Sequence, residues 1–460
     1  MTVQKLFIAI AIISSIISFF RNRVKRNGDG FLLNLVQYFV GLLFIFSGIV
    51  KGIDPTGTGY KMKDYFESFA HDGWASFWEK MTHFNIAFAL GMIIFEIILG
   101  IAIIIGWRAR WTALGLLGIN LFFLYLTGYS YLSGFCLSQS ILIVSAILLA
   151  LLFGAAFIQN HKKRFQGILI MSVLVLLYFI YIKSTGNGIG CPFTISKMKV
   201  TDCGCFGDFM KLKPWETFYK DIFLTILSLF LAKKHHKISE LFSGKISNMI
   251  MIGGLAVATI FCLYNTYFNE PPVDFRPYAI GNNINEKMKE IEPSIIENIL
   301  IYTNKATGQD QRFGINNIPM DTNWVYKDRI DSVIKEGIPA PIHNLRFEDK
   351  DGNDVTTSIL NEPTVSYWIV CYNIDKSDIK AIDEKLIPFA TEMRAKGLNV
   401  YFMVGKSDAA VEKKVGSVMD IVRADETALK TMIRSNPGIL KIQNGVVQNK
   451  WHHKVFNGDK

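Results

Sequence analysis

The N-terminal half of the chain is dominated by apolar segments that approach the length needed to cross a lipid bilayer. A transmembrane helix needs roughly 17–25 mostly apolar residues. The eight segments that approach this length are Leu6–Phe20, Phe31–Val50, Ile86–Gly106, Thr112–Tyr129, Ile141–Ile158, Gly167–Ile182, Phe218–Ala232 and Asn248–Tyr264. We therefore predict an α-helical polytopic membrane bundle of about eight spans over residues 1–264.

Compact basic clusters separate the apolar segments and predict their orientation. The clusters that follow the first, third, fifth and seventh segments are, in that order, Arg21–Arg26, Arg108 with Arg110, His161–Arg164 and Lys233–Lys237. The positive-inside rule places such clusters on the cytoplasmic side, so we expect both termini outside. The first segment is followed by basic residues and not by a small-residue cleavage site, which favours a retained span over a cleaved signal peptide.

The distribution of charge determines which partners the chain is expected to have. Residues 1–264 carry a net charge of +12, whereas residues 265–460 carry −2. Half of the chain is hydrophobic and only 19% is charged, against about 25% in soluble domains. The basic excess therefore orients spans in lipid and implies no nucleic-acid partner. We predict a multi-pass membrane protein whose C-terminal domain lies on the outer side of the membrane.

Polar residues inside apolar spans are costly and usually face other helices. Glu96 lies at the centre of the third predicted span and Asn120 lies in the fourth. Lys51 lies at the outer end of the second span, and this difference in depth argues against a pair between Lys51 and Glu96. Two roles for Glu96 stay open, a structural hydrogen bond to a neighbouring helix and a part in proton relay or ligand binding.

The cysteines are all expected on or near the outer side of the membrane. The outward connections contain Cys136, Cys191, Cys203 and Cys205. Cys262 lies at the outer end of the last span, and Cys371 lies in the tail. Thiols in an oxidising compartment favour disulfide chemistry. Only Gly204 separates Cys203 from Cys205, and so small a ring departs from preferred disulfide geometry and is more easily reduced.

We therefore predict Cys203 and Cys205 as the catalytic pair, with Cys136 and Cys191 as a relay or a structural disulfide. Four cysteines allow three pairings, so connectivity stays open. Two alternative roles stay open for the pair: a purely structural bridge, and a site for a soft metal held together with Cys191 or Cys136. No histidine lies at ligand spacing, so no metal site is predicted.

The tail is predicted to hold two parts. Residues 265–337 form a juxtamembrane linker and a small extramembrane segment, with a hairpin over Asn298–Arg312. Residues 338–460 alternate strand and helix patterns and indicate a small α/β domain. Its predicted strands are Ile342–Glu348, Val365–Cys371, Leu398–Val404, Gly438–Gln443 and Val446–Trp451, and its predicted helices are Ile379–Lys396, Ala409–Gly416 and Ala428–Arg434.

This α/β pattern resembles the thioredoxin fold, in which Pro437 is the proline, often cis, that faces the active site. The loop that should carry Cys-x-x-Cys instead contains Tyr372-Asn-Ile-Asp-Lys-Ser377. Cys371 ends an apolar strand, and such a cysteine is more often buried than nucleophilic. We expect the domain to lack redox activity of its own and to bind a partner or cover the membrane site.

Three stretches of the chain resemble the DoxX/MauE-type membrane proteins, particularly those of Bacteroidota. They are Phe44–Pro55, Glu96 with the Leu-Gly pair that follows it, and Lys199–Phe223, which contains the Cys-Gly-Cys motif. The resemblance covers residues 31–232 with gaps and implies a compact helical bundle. It also implies disulfide chemistry carried out beside a thioredoxin-like partner. The DoxX relatives are linked to quinone-coupled sulfur oxidation. The insertion of Cys136–Ile182 departs from the family pattern.

With this resemblance, the leading functional hypothesis is a multi-pass thiol-disulfide oxidoreductase of a bacterial inner membrane, with a periplasmic C-terminal domain. Cys203 and Cys205 would exchange disulfides with periplasmic thiol proteins, and electrons would pass to a quinone, with Glu96 as a polar group that hydrogen-bonds the acceptor. The alternative is a non-catalytic membrane subunit or scaffold whose periplasmic domain docks an envelope complex, with structural cysteines.

Overall fold

The protein consists of two compact units, Met1–Val273 and Asp274–Lys460. The computed structural model describes residues 3–24, 30–73, 75–135, 166–167, 170, 174, 177, 197–201, 204–292, 295–319, 321–335, 340–343, 345–406 and 409–459. The division of the tail at residues 264 and 337 stays a prediction.

Long α-helices form the described part of the first unit. They are α1 (Val3–Val24), α2 (Phe31–Ile53), α3 (Pro55–Asp72), α4 (Ala75–His83), α5 (Asn85–Ile105), α6 (Ala109–Ser133), α7 (Pro214–Lys234) and α8 (Gly244–Tyr267). Among the described residues, α1, α2, α5, α6 and α8 are long and apolar enough to cross a membrane.

These five helices coincide with five of the eight predicted spans. The seventh predicted span corresponds to α7, a 21-residue helix that is not among the five because its first half carries several charges. The predicted fifth span and most of the sixth lie outside the described residues. The number of spans and their orientation therefore stay predictions.

Small residues bring α2 and α5 into close contact. A Cβ atom added at Gly100 would lie 2.8 Å from the Gly41 carbonyl oxygen and 2.9 Å from the Ile45 nitrogen. One added at Gly48 would lie 2.5 Å from the Ile97 side chain. Such glycines let helix backbones approach closely where lipid supplies no hydrophobic driving force. The α2–α5 contact forms one wall of the candidate site described below.

The second unit contains two sheets. Strands β1 (Ile295–Asn304), β2 (Asp310–Gly314) and β3 (Trp324–Lys335) form an antiparallel sheet in the order β2-β1-β3. The predicted hairpin turning near Thr307 is confirmed by the β1–β2 pairing. The third strand was not predicted, because residues 324–335 mix charged and apolar side chains without strict alternation.

The five-stranded sheet has the order β6-β5-β4-β7-β8. Its strands are β4 (Ser366–Cys371), β5 (Asn399–Val404), β6 (Asp420–Arg423), β7 (Gly438–Gln443) and β8 (Val446–His452). Strands β4, β5 and β6 are parallel, and β7 and β8 continue the sheet as an antiparallel hairpin. Its helices include Ile379–Ala381, continued through Ile382–Leu386 and Ile387–Ala395, with Ala409–Val415 and Glu426–Met432.

Most of the elements predicted for this sheet are confirmed, with two differences. The residues described within Ile342–Glu348 do not form a strand, and among them only Glu348 makes isolated bridges, to Asp354 and Arg423. Its apolar residues instead pack individually into the core around Trp368. Strand β6 was missed because its four residues are too short to show a period. The turn at Asn444-Gly445, where both residues have positive φ, is as predicted.

Candidate functional site

A small buried cavity lies within the first unit where α2, α5, α6 and α7 meet the segment after the Cys-Gly-Cys motif. Its volume is about 20 Å³, which is room for about one water molecule. It is lined by Leu43, Phe44, Ser47, Lys51, Glu96, Asn120, Phe123, Cys205, Phe206, Lys220, Asp221 and Leu224. Several of these side chains are charged although they lie in the interior of a helical bundle.

One ion pair in the cavity joins α2 to α5. Lys51 Nζ lies 2.5 Å from Glu96 Oε1, and the two side chains are 3% and 1% exposed. Ser47 Oγ donates to Glu96 Oε2 at 3.1 Å. The ammonium of Lys51 also lies 4.7 Å from the centre of the Phe123 ring, a cation–π contact that is stronger in a desolvated site.

The expectation that Lys51 and Glu96 differ too much in depth to pair was wrong. The lysine stem is long enough to run along the helix and carry its ammonium away from its own Cα. The close α2–α5 contact made by glycines reduces the distance that the stem must bridge. The central location predicted for Glu96 is consistent with this geometry.

The second ion pair lies on α7 and adjoins the cysteine motif. Lys220 Nζ lies 2.7 Å from Asp221 Oδ1, and the side chains are 8% and 0% exposed. The same ammonium interacts electrostatically with Cys205, which lines the same cavity. Thr127 Oγ1 donates to Asp221 Oδ2 at 3.0 Å. Lys220 is therefore shared between a carboxylate and a thiol.

Local backbone features position Cys205 at the cavity. Gly204 and Gly207 both have positive φ, which glycine adopts without steric cost, and the chain turns over residues 205–209. Phe206, only 2% exposed, packs in the main hydrophobic cluster of the bundle and so anchors the turn. Ser47 Oγ also lies 3.3 Å from the Cys205 carbonyl oxygen, which ties the turn to the Lys51–Glu96 pair.

Of the predicted site residues, the structure brings Cys205 and Glu96 to the same cavity. Cys203, the predicted partner of Cys205, lies outside the described residues, as do Cys136 and Cys191. Cys262 is buried in α8. Within the part of the chain that the structure describes, no group of three or more His, Cys, Asp or Glu side chains is arranged to hold a metal ion.

Sequence reasoning missed Ser47, Lys220 and Asp221. Lys220 and Asp221 lie inside a segment that was predicted as a span, and adjacent charges there were themselves a signal of function. They were not recognised because the mean hydropathy describes the segment as a whole and does not report on its individual charged residues. Ser47 carries no such signal, because a single serine in a span is common and only its neighbours reveal its role.

The predicted thioredoxin-like site in the second unit contains a buried thiol. Cys371 is 1% exposed, and burial raises the pKa of its thiol to about 11, so it is a poor nucleophile at neutral pH. This confirms the expectation of a buried Cys371. The Asn436–Pro437 peptide bond is cis, as expected. Next to it, His453 Nδ1 lies 2.8 Å from Ser435 Oγ and 3.0 Å from the Pro437 carbonyl oxygen.

Comparison with known proteins assigns two segments. Residues 29–138 match the family described as methylamine utilisation protein MauE. Residues 296–336, which contain the three-stranded sheet except for its first residue, match a domain of unknown function, DUF8463. No curated protein and no solved structure matches the chain. The first match contains α2–α6 with Ser47, Lys51 and Glu96, and it ends before Cys205.

The spanning helices and their buried charged cavity define a multi-pass helical membrane protein. Within that class, the match over residues 29–138 supports a protein of MauE type. The origin in Bacteroidota and the thioredoxin-like nature of the tail stay predictions.

Proposed function

We propose that this membrane protein exchanges disulfides with thiol proteins through Cys203 and Cys205 on the periplasmic side of a bacterial inner membrane. The observation that carries the proposal is that Lys220 and Cys205 line the same buried cavity, where the ammonium acts on the thiol. A cation beside a thiol favours the thiolate, which is both the nucleophile and the better leaving group.

Cys205 is partly buried and packs against the hydrophobic cluster of the bundle, which favours different roles for the two cysteines. In the oxidised protein, a substrate thiolate attacks the sulfur of Cys203 and forms a mixed disulfide. The Cys203–Cys205 bond breaks, and Cys205 leaves as a thiolate beside Lys220. The second thiol of the substrate then attacks the mixed disulfide and releases Cys203. The substrate dithiol has been oxidised, and the cysteine pair has gained its two electrons.

The assignment of a quinone as the next electron acceptor stays a prediction. The cavity of about 20 Å³ beside Cys205 does not accommodate a quinone ring. Glu96, proposed from sequence to hydrogen-bond the acceptor, is engaged by Lys51 and Ser47. Any acceptor that is itself a disulfide would complete the cycle by the reverse of the same exchange.

The test is to trap mixed disulfides in cells with single cysteine variants. Cys205→Ala removes the leaving and resolving thiol, so we expect Cys203 to accumulate disulfide-linked partner proteins on non-reducing gels. Cys203→Ala should trap little, because Cys205 faces the bundle. Cys262→Ala, at a buried position on α8, is the matched control and should behave as wild type. Absence of adducts from both motif variants, with both thiols permanently reduced, contradicts exchange.

A second candidate function, a non-catalytic subunit whose tail docks an envelope complex, is favoured by the three-stranded sheet. Tyr302, Phe313, Trp324 and Tyr326 form a chain of edge-to-face ring contacts there, and Tyr326 is 53% exposed. Aromatic side chains of this kind are enriched at protein interfaces. This function requires that the double variant Cys203→Ser/Cys205→Ser still copurifies with a stable partner. It also requires that the Tyr326→Ala variant no longer copurifies with that partner.

We also infer that the five-stranded sheet is of thioredoxin type and serves as a binding module. Three parallel strands continued by an antiparallel hairpin, with a cis proline before the hairpin, support this inference. Without a Cys-x-x-Cys motif the module supplies no thiol pair of its own. Purified full-length Cys203→Ala/Cys205→Ala protein should therefore lack insulin-reducing activity, and activity in that variant would contradict the assignment.

A further inference from the structure

Lys220 is shared by two groups that each carry a negative charge when ionised. Its ammonium forms an ion pair with Asp221 at 2.7 Å and interacts electrostatically with Cys205, which lines the same cavity. Asp221 is fully buried and Lys220 is 8% exposed. An uncompensated charge at such a depth costs several kcal/mol, so a single cation does not support both a carboxylate and a thiolate.

Among the residues that the structure describes, the other charged side chains lining the cavity do not compensate a second anion. Lys51 from α2 and Glu96 from α5 neutralise each other at 2.5 Å. Helix α6 contributes only uncharged side chains, Asn120 and Phe123. With Cys205 in a disulfide, the residues lining the cavity are neutral overall. With Cys205 as a thiolate, they carry one negative charge in excess.

We infer that Asp221 takes up a proton when Cys205 becomes a thiolate, so that reduction of the cysteine pair is coupled to protonation of this carboxyl. This inference rests on the proposed function. Lys220 then neutralises the thiolate, and Asp221 is left neutral with the Thr127 hydroxyl beside it. Glu96 keeps its own cation, Lys51, and accepts a hydrogen bond from the Ser47 hydroxyl.

The cavity provides a site through which the proton reaches Asp221. Asn120 is fully buried, and its amide donates to Ser228 at 2.7 Å. Its carbonyl oxygen accepts no hydrogen bond from any residue that the structure describes. Asn120 and Asp221 line the same space, which has room for about one water molecule. A water molecule bound there donates to Asn120 and carries the proton to the carboxylate.

The coupled step balances in electrons and protons. Two S–H groups of the substrate are oxidised to a disulfide, and the Cys203–Cys205 bond takes up the two electrons. One of the two protons released ends on Cys203 as a thiol, and the other ends on Asp221. Cys205 keeps its charge as a thiolate paired with Lys220.

The experiment is redox-induced infrared difference spectroscopy on the purified full-length protein, cycled between dithiothreitol and its oxidised form. We expect the carbonyl stretch of a protonated carboxyl to appear on reduction. The band should be absent from Asp221→Asn and retained in Glu96→Gln, the control at the Lys51–Glu96 ion pair. Labelling with ¹³C-aspartate should shift the band in the unsubstituted protein, so the assignment does not depend on folding of a variant.

The possible results separate this inference from the proposed function. Alkylation and mass analysis of the same samples show whether the Cys203–Cys205 bond forms and breaks. If it never does, the exchange function fails and this inference fails with it. If the pair cycles but no carboxyl band appears, or if only ¹³C-glutamate shifts the band, the inference about Asp221 is overturned and the exchange function stands.

Discussion

At the scale of single residues, buried charges distinguish this bundle from one held together by packing alone. Two lysine–carboxylate pairs line one cavity with side chains no more than 8% exposed. Replacing a buried ion pair by apolar residues is often neutral or stabilising, whereas removing one partner is strongly destabilising. Such pairs therefore add little to the stability of the fold. Their presence beside Cys205 is better explained by a role in the proposed function of this cysteine.

Lys51→Met should destabilise the bundle, because it leaves the Glu96 carboxylate buried without a cation. We expect a loss of about 3–5 kcal/mol in the free energy of unfolding, measured by denaturation in detergent and followed by circular dichroism. The double variant Lys51→Met/Glu96→Met should recover most of that loss. If the single and double variants are equally unstable, the pair is not the origin of the effect.

Lys220→Met should reduce the reactivity of Cys205, because the thiolate loses its cation. We expect alkylation of Cys205 by iodoacetamide at neutral pH to slow by about tenfold, since a neighbouring cation commonly lowers a thiol pKa by a unit or more. Peptide mass mapping of the reduced protein measures the rate at this cysteine. Lys63→Met, on α3 and 39% exposed, is the control. Equal rates in Lys220→Met and wild type would contradict the proposed role of Lys220.

At the scale of elements, the contact between α2 and α5 sets the geometry of the site. Both partners of the first ion pair lie on these helices, and their separation depends on glycines that allow close approach. The turn after Gly204 brings Cys205 to the same cavity by inserting Phe206 into the hydrophobic cluster. The proposed exchange therefore depends on helix packing as much as on the reacting groups.

Gly100→Ala should force α2 and α5 apart, because the added methyl group would lie 2.8 Å from the Gly41 carbonyl oxygen. Overpacking of this kind costs about 1–3 kcal/mol, measured as a lower melting temperature in detergent. Gly91→Ala is the matched control on the same helix: its Cβ would meet nothing within 4 Å among the described residues. We expect that variant to be as stable as wild type, and equal destabilisation by both would refute the packing argument.

At the scale of the whole molecule, the chain divides into a helical unit and an α/β unit between Val273 and Asp274. Asp274 is the first residue of the second unit and is held by two cations. Arg276 Nε lies 2.7 Å from Asp274 Oδ1, and Lys450 Nζ from strand β8 lies 2.7 Å from Oδ2. These ion pairs fix the start of the unit to the edge strand of its sheet.

The stability of the second unit should fall in acid through Asp274. Burial acts to raise the pKa of this carboxyl, but the charges of Arg276 and Lys450 outweigh it and lower the pKa to about 2. Because the folded pKa lies below the unfolded value, the stabilisation is present above about pH 4 and is lost as pH falls through 2. Its size is about 2 kcal/mol.

Hydrogen exchange of tail peptides in the full chain, corrected for the intrinsic effect of pH, measures this contribution. Asp274→Asn should increase exchange at pH 6 and differ little from wild type near pH 2. Asp351→Asn, in an exposed turn, should match wild type throughout. A difference between Asp274→Asn and wild type that does not shrink in acid would contradict the assignment to the carboxylate.

The sequence by itself determined the class of protein and much of its tail. Apolar segments of spanning length predicted five helices that the structure contains, since a bilayer requires continuous apolar surface and internally satisfied backbone. The hairpin at Asn444-Gly445 and the strand ending at Cys371 followed from local turn chemistry and hydrophobic runs. Strand β6 and the irregular segment before Asp354 did not, because tertiary pairing decides the state of such short segments.

Only the tertiary structure decided which side chains form the site. Glu96 and Cys205 were identified from sequence, but their connection through Ser47 and the two ion pairs was not. Lys51 lies 45 residues from Glu96 and 15 residues separate Lys220 from Cys205. Hydropathy and motif spacing report on each segment separately, whereas a buried ion pair exists only where helices from different segments meet. The charges that a membrane bundle must neutralise are therefore visible in the sequence, and their partners are fixed by packing.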